Sequence, residues 1–216
     1  MRDETISGFL RQLAARTSAP GGGATAALHA AQAAALIAMV ARFSDGPRSD
    51  AEVVERVLPA ADALMDEALG LAEADGAAFG KVIEAYRLPR RTPDEQQARS
   101  GAIAQALAGA ARPPADLLVL SARLIALAEE LLPTANRNLI GDLLAATASA
   151  RAAAEISRVN IEANLSGLHD SLPAQSGTTE QELTVALIAA VSSAAGIIVR
   201  AEHLAAEVRE ALAPRP

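Results

Sequence analysis

The sequence contains no cysteine and no tryptophan, and aromatic residues make up 2% of its 216 positions. The first absence excludes disulfides, thiolate metal sites and cysteine nucleophiles. The second leaves one Tyr and three Phe, too few to build stacking platforms for bases. The net charge of −7 points the same way, so no nucleic-acid partner is expected. Runs of alternating β-branched residues bounded by turns are also missing, which excludes a sheet-based fold. The opening MRDETISGFLRQL lacks the apolar run of a signal peptide. Residues 24–41 come nearest to a membrane span, but they are Ala-rich and hold His29 and Gln32. A cytoplasmic location with no membrane partner is the expectation.

What the chain does have is alanine. Hydrophobic residues reach 51%, much of it Ala, the best helix former, whose short side chain lets helices approach closely. The chain reads as all-α: a single domain over residues 1–216, a bundle of about six helices, two or three of them long. A short helix over 5–15 turns Phe9, Leu10 and Leu13 inward. Pro20-Gly21-Gly22-Gly23 precedes a helix over 24–43, and the loop 44–49 leads to a long helix over 51–86 that Leu88-Pro89 ends. Thr92 is a helix N-cap with Pro93 at the first helical position and Glu95 at the third. That helix is bent or split by Pro113-Pro114 and stops near Pro133. Helices over 136–168 and 179–212 follow a loop each, and the last presents Leu183, Leu187, Val191, Ala194 and Ile198 on one face.

The helix over 136–168 carries polar residues where a buried helix ought to carry Leu. Asp142 and Asn160 are eighteen residues apart, five turns at 3.6 residues per turn, so they point the same way. Asn138 and Asn164 lie within about 40° of that line, and Ala146, Ser149 and Ala153 floor it with small side chains. The opposite face, Arg151, Glu155, Arg158 and Glu162, has the spacing of a solvated face with its own ion pairs. Buried amides and carboxylates cost free energy unless hydrogen-bonded, either by neighbouring protein or by a polar ligand. The stripe is about 27 Å long between Asp142 and Asn160. It cannot be one catalytic cluster, and one end must serve another role or another subunit's site.

Asp75 is the second such position. Ala68, Ala72, Asp75, Phe79, Val82 and Tyr86 recur at spacings of four and three, which sets the carboxylate in a buried seam. It either caps or pairs with a neighbouring element, or it serves as a general acid/base whose pKa desolvation raises. The turn Pro20-Gly21-Gly22-Gly23 lets backbone approach a ligand closely, and the helix after it offers free N–H groups to an anion, though it lacks the Lys-Ser/Thr of a P-loop. His29, His169 and His203 show no metal-ligand spacing and no coupling to a Ser or Asp, so no metal site is expected.

Taken together, several segments resemble the folate cyclodeaminase/cyclohydrolase family. They are Ala19-Pro20-Gly21-Gly22-Gly23-Ala24-Thr25, Asp75-Gly76-Ala77-Ala78-Phe79, Ala85-Tyr86-Arg87-Leu88-Pro89-Arg90-Arg91-Thr92-Pro93, Asn136-Arg137-Asn138-Leu139-Ile140-Gly141-Asp142, and Asn160-Ile161-Glu162-Ala163-Asn164. They occur in the family's order and near its spacing over almost the whole chain. The resemblance implies an all-helical homodimer that hydrolyses the 5,10-methenyl bridge of methenyltetrahydrofolate, or deaminates 5-formiminotetrahydrofolate to it. No permanently bound cofactor is implied, the tetrahydrofolate derivative being the substrate. Asp75 would be the catalytic carboxylate; Pro20, Gly21, Gly22, Gly23, Asn136, Asn138, Asp142, Asn160 and Asn164 would line the folate groove. The chain departs from the family at Ala24 and Gly141, where Ser is usual, and in the loop 44–49, where a basic, Tyr-containing segment is common. Two alternatives follow from those departures: a non-catalytic folate-binding or interaction dimer, and a divergent member acting on another amidine-like substrate.

Overall fold

A computed structural model describes residues 3–46, 49–171 and 178–212, with side chains of 170, 171 and 178–183 outside the description. The expected loop at 171–177 and the position of Leu183 therefore lie mostly outside the described residues, as do Pro47 and Arg48. The described residues form seven α-helices and one 3-10 turn, with no strand. The helices are α1 (Ile6–Leu13), α2 (Gly22–Arg42), α3 (Ala51–Tyr86), α4 (Pro93–Ala110), α5 (Arg112–Leu131), α6 (Ile140–Ser171) and α7 (Thr178–Leu212).

Local chemistry sets most of these boundaries. Thr5 caps α1 by accepting from the Gly8 N–H at 3.1 Å. Asp50 caps α3, accepting from the Glu52 and Val53 N–H groups. Thr92 and Glu95 form a reciprocal capping box at α4, with Pro93 where no N–H is needed. Pro113-Pro114 splits the fourth expected helix at Ala111, and both prolines sit in the first turn of α5, where their missing N–H groups cost nothing. Residues 136–139 are not the first turn of α6 as expected. The Asn136 side chain caps the Asn138 N–H at 3.0 Å and diverts the chain into a 3-10 turn over Arg137–Leu139.

The core is built around α2. Ala26, Ala27, Ala30, Ala33, Ala34, Ile37, Ala38 and Val40 are all buried, because α3 and α6 flank this helix on two sides and α5 lies against a third. Small side chains all round allow that close approach. An Arg42–Asp62 ion pair of 2.6 Å joins the end of α2 to the first half of α3, while the start of α2 meets Asp75 in its second half, so the two helices are antiparallel. Along α3 the face that meets α2 reads Ala61, Leu64, Ala68 and Ala72, all buried. Beyond Ala72 the partner runs out, since α2 begins at Gly22. Phe79 and Tyr86, expected inside the seam, are exposed, as is Leu10 of α1. The outer face of α6 does carry its expected ion pairs, Arg151–Glu155 at 3.1 Å and Arg158–Glu162 at 2.8 Å.

Two helices are long and apolar enough to cross a membrane by length and composition, α2 and residues 184–212 of α7. α2 spends its apolar surface inside the bundle, whereas α7 buries Leu187, Ala194, Ala201, Leu204 and Val208 on one side and leaves Val185, Ile188 and Val199 exposed on another.

Candidate active site

The start of α2, the second half of α3 and the last third of α6 enclose a cavity of about 200 Å³ lined by Gly21, Gly22, Gly23, Asp75, Phe79, Asn160 and Asn164, with Ser18, Ala19, Gly76, Ala110 and Ala163 completing its wall. Three sequence segments far apart in the chain thus meet. Their convergence follows from the packing: α3 outlasts α2, so its core-facing Asp75 looks onto the glycine turn rather than onto another side chain.

The glycines are required by this contact. A Cβ at residue 23 would fall within the carboxylate of Asp75, and one at residue 22 would lie 3.3 Å from Oδ1 of Asn160. Neither glycine has a positive φ, so the reason is space, not backbone conformation. The first N–H groups of α2, which have no intrahelical acceptor, belong to this same wall. Pro20 follows a cis peptide bond and leads into the turn without lining the cavity.

Asp75 is half-buried and makes no hydrogen bond or ion pair with a described residue. Burial pushes its carboxyl above the usual carboxylate range, with no compensating charge nearby. The capping or pairing alternative is therefore absent from the described structure. A partly desolvated carboxylate of this kind suits either proton transfer or contact with a cation.

The two asparagines of α6 differ. Asn164 is committed to the fold: its amide donates to the Ala110 carbonyl at 3.3 Å and to the Asn160 carbonyl at 3.0 Å, tying α6 to the α4–α5 junction. The Asn160 amide nitrogen is buried with no protein partner. An unpaired buried donor costs on the order of 1–3 kcal/mol.

Asn136, Asn138 and Asp142 are not part of this cavity. They lie at the other end of α2, because α6 rises about 1.5 Å per residue and runs its whole length alongside. There Asn136 donates to the Phe43 carbonyl and its backbone N–H donates to Ser44 Oγ, each at 3.0 Å, which fastens the end of α2 to the start of α6. Asn138 is exposed, and Asp142 is a half-buried acid in the first turn of α6, where the helix dipole favours it. A separate cavity of about 510 Å³ adjoins Asn136, Ser44, Ser49 and Thr134. Within one chain the expected groove is thus divided, and only its Asn160–Asn164 end adjoins Asp75.

Phe79 is the lining residue that periodicity misplaced. It follows Asp75 by one turn and stands 42% exposed at the cavity, an apolar wall beside the carboxylate. The signal was its position four residues after Asp75. His29 is half-buried with Nδ1 unpartnered, while His169 and His203 are exposed. No group of three or more His, Asp or Glu residues among those described could hold a metal ion.

This arrangement can be set beside known proteins. The chain is 34% identical over 183 residues to a methenyltetrahydrofolate cyclohydrolase of Methylorubrum extorquens, covering 83% of this chain and 88% of that one. It is 31% identical over 173 residues to the formimidoyltransferase-cyclodeaminase of Mus musculus, covering 79% of this chain and 32% of that longer protein. Its fold matches the crystal structure of formiminotetrahydrofolate cyclodeaminase from Thermotoga maritima with a TM-score of 0.78 at 25% identity, over 98% and 96% of the two chains. A sequence profile described as formiminotransferase-cyclodeaminase matches residues 5–183, and with these relatives it shows that the chain belongs to that family.

Proposed function

We propose that this protein is an enzyme of one-carbon folate metabolism that hydrolyses the 5,10-methenyl bridge of methenyltetrahydrofolate, with Asp75 as general acid/base. The observation that carries the reading is the Asp75 carboxylate, half-buried and unpaired against the glycine turn. The methenyl bridge is a cationic amidinium. A carboxylate beside it holds the cation, and it takes a proton from the water that attacks the bridge carbon. Phe79 supplies an apolar face to the flat ring system, and the donors and acceptors of the pterin suit Asn160 and the free N–H groups of α2. No resident cofactor is needed: the tetrahydrofolate derivative is the substrate.

Hydrolysis leads because the relative named for it is spanned nearly end to end at 34% identity. Deamination of 5-formiminotetrahydrofolate is favoured by the name of the structural neighbour. In that reaction the same carboxylate would protonate departing ammonia. Loss of methenyltetrahydrofolate absorbance on adding the protein tests the first, and ammonia release from the formimino compound tests the second.

The protein acts in the cytoplasm as a homodimer in this reading. The exposed apolar side of α7, at Val185, Ile188 and Val199, supports the dimer by offering a face that a second copy would cover.

A further inference from the structure

Beyond the cavity, α3 carries a line of apolar side chains that the described residues leave largely uncovered. Phe79 lines the cavity beside Asp75, and Tyr86 lies seven residues further, two helical turns away on the same face and about 10.5 Å along the axis. Both are exposed, and Ile83 between them is half-buried. At the far end stands Arg99 of α4. Its guanidinium lies over the Tyr86 ring, 5.4 Å from the centroid, and its Nη2 donates to the Tyr86 carbonyl at 3.1 Å. A cation is thus fixed on the line that leads out from the cavity. The charge around it is positive: residues 85–93 hold Arg87, Arg90 and Arg91 and no acid, in a chain of net charge −7. The flanking acids are otherwise engaged. Glu95 spends its carboxylate on the Arg91 and Thr92 N–H groups, Asp94 sits in the first turn of α4 where the helix dipole favours it, and Glu84 lines a groove on another side of α3.

We propose that this strip seats the anionic arm of the substrate, with the aminobenzoyl ring along Phe79 and Ile83 and the glutamate carboxylates meeting Arg99. The assignment rests on the folate reading above. At about 200 Å³ the cavity is smaller than the roughly 300–1,000 Å³ of a site that encloses a drug-sized ligand, so part of a folate must lie outside it. The reach of the arm agrees with the strip. A para-substituted ring, an amide and one Cα extend about 9–10 Å from the bridge nitrogen to the first glutamate carboxylate, at about 1.3–1.5 Å per bond. An arm that leaves the bridge beside Asp75 therefore passes Phe79 and ends within reach of the long Arg99 side chain. The apolar strip suits the aromatic ring, and the guanidinium suits a carboxylate. Its contacts with Tyr86 hold Arg99 in place before the ligand arrives, which lowers the ordering cost of binding. The contact is remote from the reacting carbon and is the same in ground and transition states, so it acts on affinity and not on kcat. Arg99 is in this assignment a specificity residue, which tells a glutamate-bearing folate from a pterin without that arm.

The test measures Kd for tetrahydrofolate and for tetrahydropteroate, which has the benzoyl ring but no glutamate, with wild type and Arg99→Gln. Wild type is to bind tetrahydrofolate about 10-fold more tightly than tetrahydropteroate, the scale of a hydrogen bond to a charged group. Arg99→Gln is to lose that preference while binding tetrahydropteroate as wild type does. Added salt is to weaken wild-type binding of tetrahydrofolate more steeply than that of tetrahydropteroate, a comparison that needs no variant to fold. On methenyltetrahydrofolate, Arg99→Gln is to raise KM and leave kcat within about two-fold. An equal loss on both ligands would make Arg99 a brace for Tyr86 and overturn the assignment, as would a wild type that does not prefer the glutamate-bearing ligand. A fall of Arg99→Gln from the wild-type mass to the single-chain mass in light scattering would show a second copy on the strip, and would overturn it too. The expected binding pattern without turnover of the methenyl compound would overturn the hydrolase reading and leave the seat of the arm in place. Binding of neither ligand would overturn both.

Discussion

The carboxylate of Asp75 occupies the space that a side chain at residue 23 would fill. This contact couples the glycine turn to the carboxylate sterically. Gly23→Ala is expected to push Asp75 out of place and to lower kcat by about 10²-fold, the scale of an ångström-sized displacement of a reacting group. Gly21→Ala, where an added Cβ meets nothing within 4 Å, serves as the comparison for local backbone effects. Steady-state kinetics of the two variants check this; equal losses would show that the turn, not the contact with Asp75, matters.

The raised carboxyl of Asp75 has consequences for pH. Acting as a base, it must be ionised, so kcat/KM falls on the acid side at a pH above the ordinary carboxylate range of about 4. Asp75→Asn removes that limb. For stability the sign is opposite to that of a salt-bridged carboxylate. The folded state holds this proton more tightly than the unfolded chain, so stability decreases as pH rises from the unfolded value through the raised folded one. Asp75→Asn is therefore expected to be more stable than wild type at neutral pH, with the gap closing below about pH 4. Urea unfolding of both proteins at several pH values measures it.

Asn136 is expected to matter for folding and not for turnover. Losing its bond to the Phe43 carbonyl and its cap on Asn138 should cost about 1–2 kcal/mol in Asn136→Ala. That corresponds to a melting temperature lower by a few degrees, roughly 2–4 °C per kcal/mol at this chain length. Activity within two- or three-fold of wild type at a temperature well below melting is the accompanying result. A large kcat loss would instead bring this end of α6 into a site completed by another subunit.

The α7 face supplies a separate expectation. Ile188 is 53% exposed in the single chain, an unfavourable place for a branched apolar side chain of this size when neighbours Val185 and Val199 are exposed too. Light scattering after gel filtration should give twice the chain mass for wild type and a shift to the single-chain mass for Ile188→Glu.

Much of the fold was legible because its signals are local. The bounds of α3, the Thr92 capping box and the break at Pro113-Pro114 each depend on a few adjacent residues. The exposure of Phe79 and Tyr86 was not, because periodicity identifies a face and says nothing of how far the partner helix extends. α2 starts at Gly22 and gives that face no cover beyond Asp75, while Val82 further along is buried against Ile103, Ala104 and Leu107 of α4. The polar stripe of α6 was legible as a line but not as two separate sites, since only the antiparallel α2 between them divides Asn136 from Asn160. The meeting of Asp75 with the glycine turn is tertiary, and no spacing within one segment encodes it. The second apolar face of α7, at Val185, Ile188 and Val199, is interrupted by small and polar residues and so carries a weaker periodic signal than the face of Leu187 and Ala194.

In the proposed function Asp75 carries the chemistry of a folate bridge-hydrolysing enzyme. The direct measurement is the decay of methenyltetrahydrofolate absorbance with wild type and with Asp75→Asn under identical conditions, both proteins shown to be folded. The expected result is a protein-dependent acceleration by wild type and a loss of about 10²–10⁴-fold in the variant, the range of a positioned general base. Equal acceleration by the two proteins, or none by the wild type, would contradict it.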